Sequence, residues 1–188
     1  MVRFLGLYLR SRQVPVAFPL ALAGVLAVTL LGDDQRHPSR SVIFAILGLV
    51  LGVAVAGPGL GGPSGELDRT AALNWVRWRA GHAIAITALV FGTAFVATHV
   101  PAGLLLRDAA GLAGLGTLAA AAFGHHLAWT LPVTWGGLAA VVPPMAQPVI
   151  LRVATWPSQP PEDTTAAVTA AVLAVAGLVV YARGGSRT

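Results

Sequence analysis

The sequence predicts an all-α membrane protein, organised as a single transmembrane domain over residues 1–188, and three observations lead to this prediction. The chain is 56% hydrophobic and only 10% charged, whereas an ordinary soluble domain carries about 25% charged residues. Six apolar stretches approach the length of about 20 residues with which a helix crosses the hydrocarbon core of a bilayer. All 12 cationic side chains are arginines, and they lie between the apolar stretches. This scatter argues against nucleic-acid binding, which favours a basic patch or stripe.

The first element is a predicted interfacial helix over Met1–Arg12. Phe4, Leu5 and Tyr8 would face lipid there, and the side chains expected to reach phosphate groups are Arg3, Arg10 and Arg12. The apolar stretch that follows is longer than the core of a cleaved signal peptide, so we expect it to be a retained first span.

The six predicted spans are Val14–Leu31, Ser41–Ala56, His82–His99, Asp108–Ala128, Val133–Ile150 and Thr165–Tyr181. The fifth contains three prolines, Pro143, Pro144 and Pro148. Proline removes a helical hydrogen bond and kinks the chain. A broken or re-entrant segment is therefore the alternative for this span, provided that neighbouring helices bury its freed backbone groups. Within the second span, Gly48 and Gly52 have the spacing that lets helices approach closely.

Arginine placement predicts the orientation, because cytoplasmic loops of membrane proteins carry an excess of cationic residues. With both termini cytoplasmic, the inner side holds eight arginines and two acids, and the outer side four arginines and five acids. The inner arginines are Arg3, Arg10, Arg12, Arg69, Arg77, Arg79, Arg183 and Arg187. The expected location is the inner membrane of a bacterial cell, crossed several times.

The composition also excludes several mechanisms. Without lysine the chain has no Walker A loop and forms no Schiff base. Without cysteine it has no disulfide, thiolate nucleophile or zinc–sulfur site. The predicted spans contain no Asp, Glu or Arg except Asp108 at an outer edge. Because buried ionisable groups mark proton relays and ion pathways, this distribution argues against a proton-coupled transporter or an ion pump.

The connection between spans two and three, residues 57–82, is the longest and the most informative. Ser64 is a plausible N-cap, followed by Glu66 and Asp68 in a first helical turn, where acids complement the helix dipole. Leu67, Ala71, Trp75 and Trp78 share one face of this helix. One interpretation makes Trp75, Arg77, Trp78 and Arg79 membrane-interface anchors. The other makes the segment a docking helix for a cytoplasmic partner.

The run GELDRTAALNWVRWRAGH in this connection resembles the loop between spans two and three in permease subunits of type-2 ATP-binding-cassette exporters. In that family an acid and an arginine lie near the start of the loop. A hydrophobic, basic stretch and then glycine with a basic residue lead into span three. The matching residues here are Glu66, Arg69, Leu73, Arg77, Arg79, Gly81 and His82. The interfacial N-terminal helix, the six spans and an external segment over Gln147–Thr164 match the family layout as well.

The resemblance implies a coupling helix at Glu66, Leu67, Asp68, Arg69 and Thr70. That element would contact a separate cytoplasmic ATP-binding subunit, which would hold ATP and magnesium. A second permease copy, or a similar permease chain, would complete the pathway. The chain itself would then be a transport subunit with no cofactor, metal site or catalytic residue of its own. Its expected cargo is hydrophobic or amphiphilic: a lipid, a peptide or a small drug-like molecule.

Two other functions remain open at the level of the sequence. Imidazoles bind metals and move protons, so His82, His125 and His126 suggest a small metal-dependent membrane enzyme. The third function is a non-catalytic scaffold subunit within a larger membrane complex.

Overall fold

The computed structural model of the chain describes residues 14–61, 75–145 and 147–187. Across these ranges it contains seven α-helices, three short 3-10 turns and no strand, so the predicted all-α class is confirmed. The helices are α1 (Val14–Gly32), α2 (Pro38–Ala56), α3 (Trp75–Ala97), α4 (Ala102–Phe123), α5 (Thr130–Val141), α6 (Val149–Ala154) and α7 (Thr164–Gly184). The 3-10 turns are Gly57–Leu60, His125–Leu127 and Trp156–Ser158.

Successive long helices run in opposite directions, and their connections meet at two ends of the bundle. At one end Asp33, after α1, contacts His99, after α3. At the other end Tyr181 of α7 contacts Leu60, after α2. We call the first the acidic end (residues 33–40, 98–108 and 152–163) and the second the basic end (residues 57–61, 75–82, 124–129 and 181–187).

The names reflect the distribution of charge among the described residues. Every acidic residue that the structure describes lies at the acidic end, together with four arginines: Asp33, Asp34, Asp108, Glu162 and Asp163, with Arg36, Arg40, Arg107 and Arg152. The basic end carries Arg77, Arg79, Arg183 and Arg187. The two ends therefore separate these residues into the same two groups that the sequence predicts.

Five of the helices are long and apolar enough to cross a membrane: α1, α2 with its 3-10 turn, α3, α4 and α7. Large apolar side chains point outward along them, among them Leu31, Val96 and Val172. Such exposure disfavours a soluble surface but suits contact with lipid. The chain therefore has the helices of a multi-pass membrane protein.

A sixth spanning helix is not confirmed, because the predicted span Val133–Ile150 is not one helix. The helix α5 ends at Val141, and Val142 is extended. The chain then passes through Pro143 and Pro144 before the short helix α6 begins after Pro148. Each of these prolines lacks a backbone N–H and cannot continue the helix. The described residues between the basic end and the acidic end therefore form two short helices, with non-helical backbone at 142–145 and 147–148.

The third and fourth spans differ from prediction at their ends. The helix α3 already includes Trp75, so residues 75–81 belong to the same helix as His82 and not to a separate surface helix. The helix α4 begins at Ala102 and stops at Phe123, where Gly124 takes a positive φ of 95°. As a consequence, Asp108 lies inside α4 and not at its start.

The helix α4 is central to the bundle and makes its most extensive contact with α7. Gly114 lies directly against the carbonyl group of Leu173, and Gly177 lies against the carbonyl group of Gly114. A side chain at either position would occupy space filled by backbone of the other helix. The predicted pair in α2 also packs closely, since a Cβ at Gly48 would lie 2.7 Å from the Thr29 methyl carbon of α1.

Substitution of Gly177 by alanine tests this backbone contact. We expect Gly177→Ala to lower the stability by about 1–3 kcal/mol, the usual cost of overpacking, because α4 and α7 must separate. Gly92→Ala is the matched control, since nothing lies within 4 Å of a Cβ at Gly92 in α3. Both substitutions change helix propensity in the same way. Thermal unfolding in detergent measures the difference, and equal midpoints for the two variants would contradict the packing described.

Candidate functional site

The residues next to segment 62–74 are built into the basic end of the bundle. On its N-terminal side, the Leu60 carbonyl oxygen accepts a hydrogen bond of 2.6 Å from the hydroxyl group of Tyr181, which is fully buried in α7. Gly61 lies against the ring of His125, which follows α4. A Cβ at Gly57 would lie 3.0 Å from that of Ala128. The chain thus enters segment 62–74 from a point fixed to α7 and to the turn after α4.

On the other side of segment 62–74 the chain continues directly into α3. Trp75, Trp78 and Arg79 are half-buried in its first turns, and Arg77 is exposed. The guanidinium group of Arg79 lies over Gly185, the residue after α7. Aromatic and cationic side chains together are typical of the headgroup level of a membrane. The four predicted interface residues therefore stand at the base of a long helix, beside the end of α7.

The other predicted site residues lie outside the described ranges. They are the coupling residues Glu66, Leu67, Asp68, Arg69 and Thr70, and the N-terminal arginines Arg3, Arg10 and Arg12.

The histidines are divided between the two ends. The rings of His125 and His126 lie with their centroids 3.9 Å apart at the basic end, and His82 is buried in α3. His99 lies at the acidic end, bonded to Asp33. Within the described ranges, no three His, Cys, Asp or Glu side chains converge as a group able to hold a metal ion.

At the acidic end, the carboxylate group of Asp33 joins the α1–α2 turn to the α3–α4 turn. Its Oδ1 accepts hydrogen bonds from the Thr98 hydroxyl (2.8 Å) and from the His99 backbone N–H (3.2 Å). Its Oδ2 lies 2.7 Å from the His99 Nδ1. The neighbouring Asp34 contacts His37 in the same way, at 2.9 Å. The contacts of Asp33 fix the two turns to one another, and the contact of Asp34 stabilises the first turn internally.

The contacts also change the acidity of the two carboxyl groups. Burial raises the pKa of Asp33, but the hydrogen bonds from His99 and Thr98 outweigh it, so the pKa is lowered. The hydrogen bonds from His37 and the Arg36 backbone N–H lower the pKa of Asp34. Hydrogen bonds to the charged form stabilise it, and both groups are therefore carboxylates at neutral pH.

Deeper at the same end, Arg107 and Asp108 form an ion pair within α4. Arg107 Nε donates to Asp108 Oδ1 at 2.9 Å, and the side chains are 7% and 0% exposed. The rest of the guanidinium group donates to three backbone carbonyl oxygens of the loop before α7: those of Pro157, Gln159 and Pro160, each at 3.0 Å. Arg107 therefore fixes this loop to the central helix.

Further polar contacts hold the same loop. The buried amide Nε2 of Gln159 donates to the Thr155 hydroxyl at 2.9 Å and to the Met145 carbonyl oxygen at 3.1 Å. Arg152 pairs with Asp163, which also caps α7 by accepting from the Ala166 N–H. The arrangement is a clamp in which the bonds from Arg107 join residues about 50 positions apart in the chain, and the other contacts hold the loop from within. The clamp supports the end of the predicted fifth span, which is not one long helix.

Two polar atoms of this region have no hydrogen-bond partner among the described residues, Asp108 Oδ2 and Trp156 Nε1. Trp156 is fully buried and packs against Gly111 of α4, one turn after Asp108. The sequence contains a pattern that indicates this buried pair. The pattern is missed when Arg107 is placed in an external loop. An adjacent Arg and Asp that follow Leu104 and Leu105 suggest a buried pair, because apolar neighbours on both sides predict a continuous helix.

No protein family matches the chain, and no curated protein or solved structure is significantly similar to it.

The clamp predicts a large effect of removing Arg107. Arg107→Ala deletes all of its bonds to the loop and leaves Asp108 as a buried charge without its cation. Removal of one member of a buried pair costs about 3–5 kcal/mol, so we expect a strong fall in thermal stability in detergent. The matched control is Arg36→Ala, at the same end, where the side chain is exposed. Equal stability of the two variants would show that Arg107 does not hold the loop.

The acidic end also predicts a pH dependence. Because folding lowers the pKa values of Asp33 and Asp34, their carboxylates stabilise the folded state above the unfolded pKa, about 3.9. This contribution is lost as the pH falls through the lower folded values. We expect the unfolding temperature to drop below about pH 4, and to drop less steeply in Asp33→Asn. Glu162→Gln, which alters an exposed carboxyl group, is the control. Identical pH profiles for wild type and Asp33→Asn would refute the assignment.

Proposed function

We propose that this chain is the membrane-spanning permease subunit of an ATP-binding-cassette transporter. It exports a hydrophobic or amphiphilic molecule, and a separate cytoplasmic subunit hydrolyses ATP. A second copy, or a similar permease chain, forms the pathway with it. The observation that supports the proposal most is the construction of the basic end around segment 62–74.

The two residues that border this segment are each attached to the spanning helices. Before it, Leu60 is bonded to Tyr181 of α7, and Gly61 lies against His125. After it, the chain is already part of α3 at Trp75. A movement imposed on residues 62–74 would pass directly to three elements of the bundle. A coupling segment needs this property, whereas a flexible linker does not.

The coupling residues within the segment are Glu66, Leu67, Asp68, Arg69 and Thr70. Glu66 and Arg69 offer one charge of each sign to a partner surface, and such charges fix the orientation of a docked subunit. The ATPase subunit holds ATP and magnesium, because the chain has no lysine for a P-loop.

The orientation follows from charge. The described part of the basic end carries arginines and no acid, so the positive-inside rule makes this end cytoplasmic. Both termini are then cytoplasmic, as the coupling assignment requires, and the membrane is the inner membrane of a bacterial cell.

The cargo class follows from the spanning helices. Apart from Arg107 and Asp108, which are committed to the clamp, their described Asp, Glu and Arg side chains lie only in terminal turns. A pathway between such helices offers little to a charged solute. A charged solute would lose its hydration there without gaining a partner, whereas a hydrophobic or amphiphilic molecule loses little hydration when it crosses.

Substitution of Glu66 and Arg69 tests the coupling assignment. The chain is co-expressed with the products of its neighbouring genes, and the chain with any ATPase subunit that co-purifies is placed in proteoliposomes. We expect the wild-type chain to change the rate of ATP hydrolysis severalfold relative to the ATPase subunit alone. Glu66→Ala combined with Arg69→Ala should return that rate to the value of the ATPase subunit alone, while thermal stability stays unchanged.

The control is Arg36→Ala with Arg40→Ala, which removes charge from the acidic end and should leave the wild-type rate. An unchanged rate in the Glu66 and Arg69 double variant would remove these residues from coupling. Failure of the wild-type chain to retain any ATPase subunit in mild detergent would overturn the proposed function as a whole.

A further inference from the structure

A groove of about 330 Å³ runs along the outside of the bundle between α3, α4 and α7. Its walls include Thr87 and Phe91 of α3, Ala110 and Thr117 of α4, and Ala174 and Leu178 of α7. The volume lies at the lower end of the range of about 300–1,000 Å³ that is usual for small-molecule sites. The groove therefore has room for a slender apolar group.

The lining offers almost no polar group to a ligand. The two threonine hydroxyls are already used within their own helices: Thr87 donates to the Ala83 carbonyl oxygen at 2.9 Å, and Thr117 donates to that of Gly114 at 2.9 Å. The groove is open to the outside, where Ile84 of its rim is 54% exposed. At the depth of the spanning helices this opening faces hydrocarbon, so an acyl chain is the natural occupant of the space.

The groove ends at the basic end next to Arg79. This residue lies one turn before Ala83 of the lining, and its guanidinium group reaches across from α3 to α7. A Cβ at Gly185 would lie 2.9 Å from the Arg79 Cζ. Arg79 is half-buried, and among the described residues it makes no hydrogen bond or ion pair. Arginine is the side chain best suited to bind phosphate, through paired N–H donors.

We propose that the groove binds one acyl chain of an anionic phospholipid and that Arg79 binds its phosphate group. The apolar walls match the chain in polarity. Arg79 supplies the charge at the position where a headgroup meets the interface, and the described residues around it supply no competing acid. Basic pockets between spanning helices are known to hold anionic headgroups in this manner. The site does not depend on the transport function proposed above.

Native mass spectrometry of the detergent-purified chain tests the site. The probes are dioleoyl phosphatidylglycerol, dioleoyl phosphatidylcholine and inorganic phosphate. We expect one phosphatidylglycerol to bind about tenfold more tightly than phosphatidylcholine, because the choline cation of the latter opposes the charge of Arg79 beside the shared phosphate group. Arg79→Gln should abolish this preference, and Arg79→Lys should retain most of it. Arg183→Gln, at an exposed position of the same end, should behave as wild type.

The acyl-chain half of the site has its own variant. Ala88→Trp fills the groove and should weaken the binding of both lipids alike, whereas Ala85→Trp, on the exposed face of α3 outside the groove, should weaken the binding of neither.

Equal losses of lipid binding in Arg79→Gln and Arg183→Gln would overturn the proposal in favour of a diffuse positive surface. Unaltered lipid binding in Ala88→Trp would exclude the groove. If inorganic phosphate alone binds as tightly as phosphatidylglycerol, the acyl chain contributes nothing and the site is a phosphate site, which would overturn the proposal. Thermal unfolding of the Arg79 variants checks that the helices still pack as in the wild type, and these variants then decide the headgroup half of the site even if Ala88→Trp fails to fold.

Discussion

The inability of hydrocarbon to bond with polar groups is the constraint on which this structure depends. Each charged group must reach water, a headgroup or a protein partner. In the described helices, nearly all arginines and acids lie at the two ends of the bundle. Arg107 and Asp108 are the exception, and the bonds of Arg107 explain the architecture of the acidic end. A buried guanidinium group with several donors needs several acceptors, and the loop over residues 157–160 supplies three carbonyl oxygens.

This clamp and the α4–α7 contact work together. The helix α4 carries Arg107 at one end and the close approach of Gly114 to α7 in its middle. The helix α7 is capped by Asp163, which is held by Arg152, and near its other end Tyr181 is bonded to Leu60. The pair of helices therefore connects the acidic-end loop with the residues that border segment 62–74. A transporter that communicates between its two membrane faces would use a rigid pair of this kind.

Composition and apolar patterning were sufficient to predict the helical class, most of the long helices and the separation of charges. They were insufficient where backbone interactions between distant residues decide the structure. The stretch Val133–Ile150 is apolar enough for a span, but its prolines end the helix, and only the tertiary contacts of Met145 and Gln159 show how the extended chain is supported. The inclusion of Trp75 in α3 could likewise not be predicted, because the apolar pattern marks only the part of the helix that lies in the hydrocarbon. Arg107 and Asp108 look like loop charges until α4 is seen to begin at Ala102.

The candidate site was likewise only partly predictable from the sequence. The interface character of Trp75, Arg77, Trp78 and Arg79 follows from residue type, whereas the contact of Arg79 with Gly185 requires the fold. The central claim is that the basic end, through residues 66–70, contacts an ATPase subunit. Cross-linking tests it most directly, because the chain has no cysteine of its own. With the ATPase subunit present in membranes, Thr70→Cys labelled with benzophenone maleimide should form a photo-cross-link to it, and Gln35→Cys at the acidic end, labelled in the same way, should not. Cross-linking from position 35 instead, or from neither position, would contradict the account.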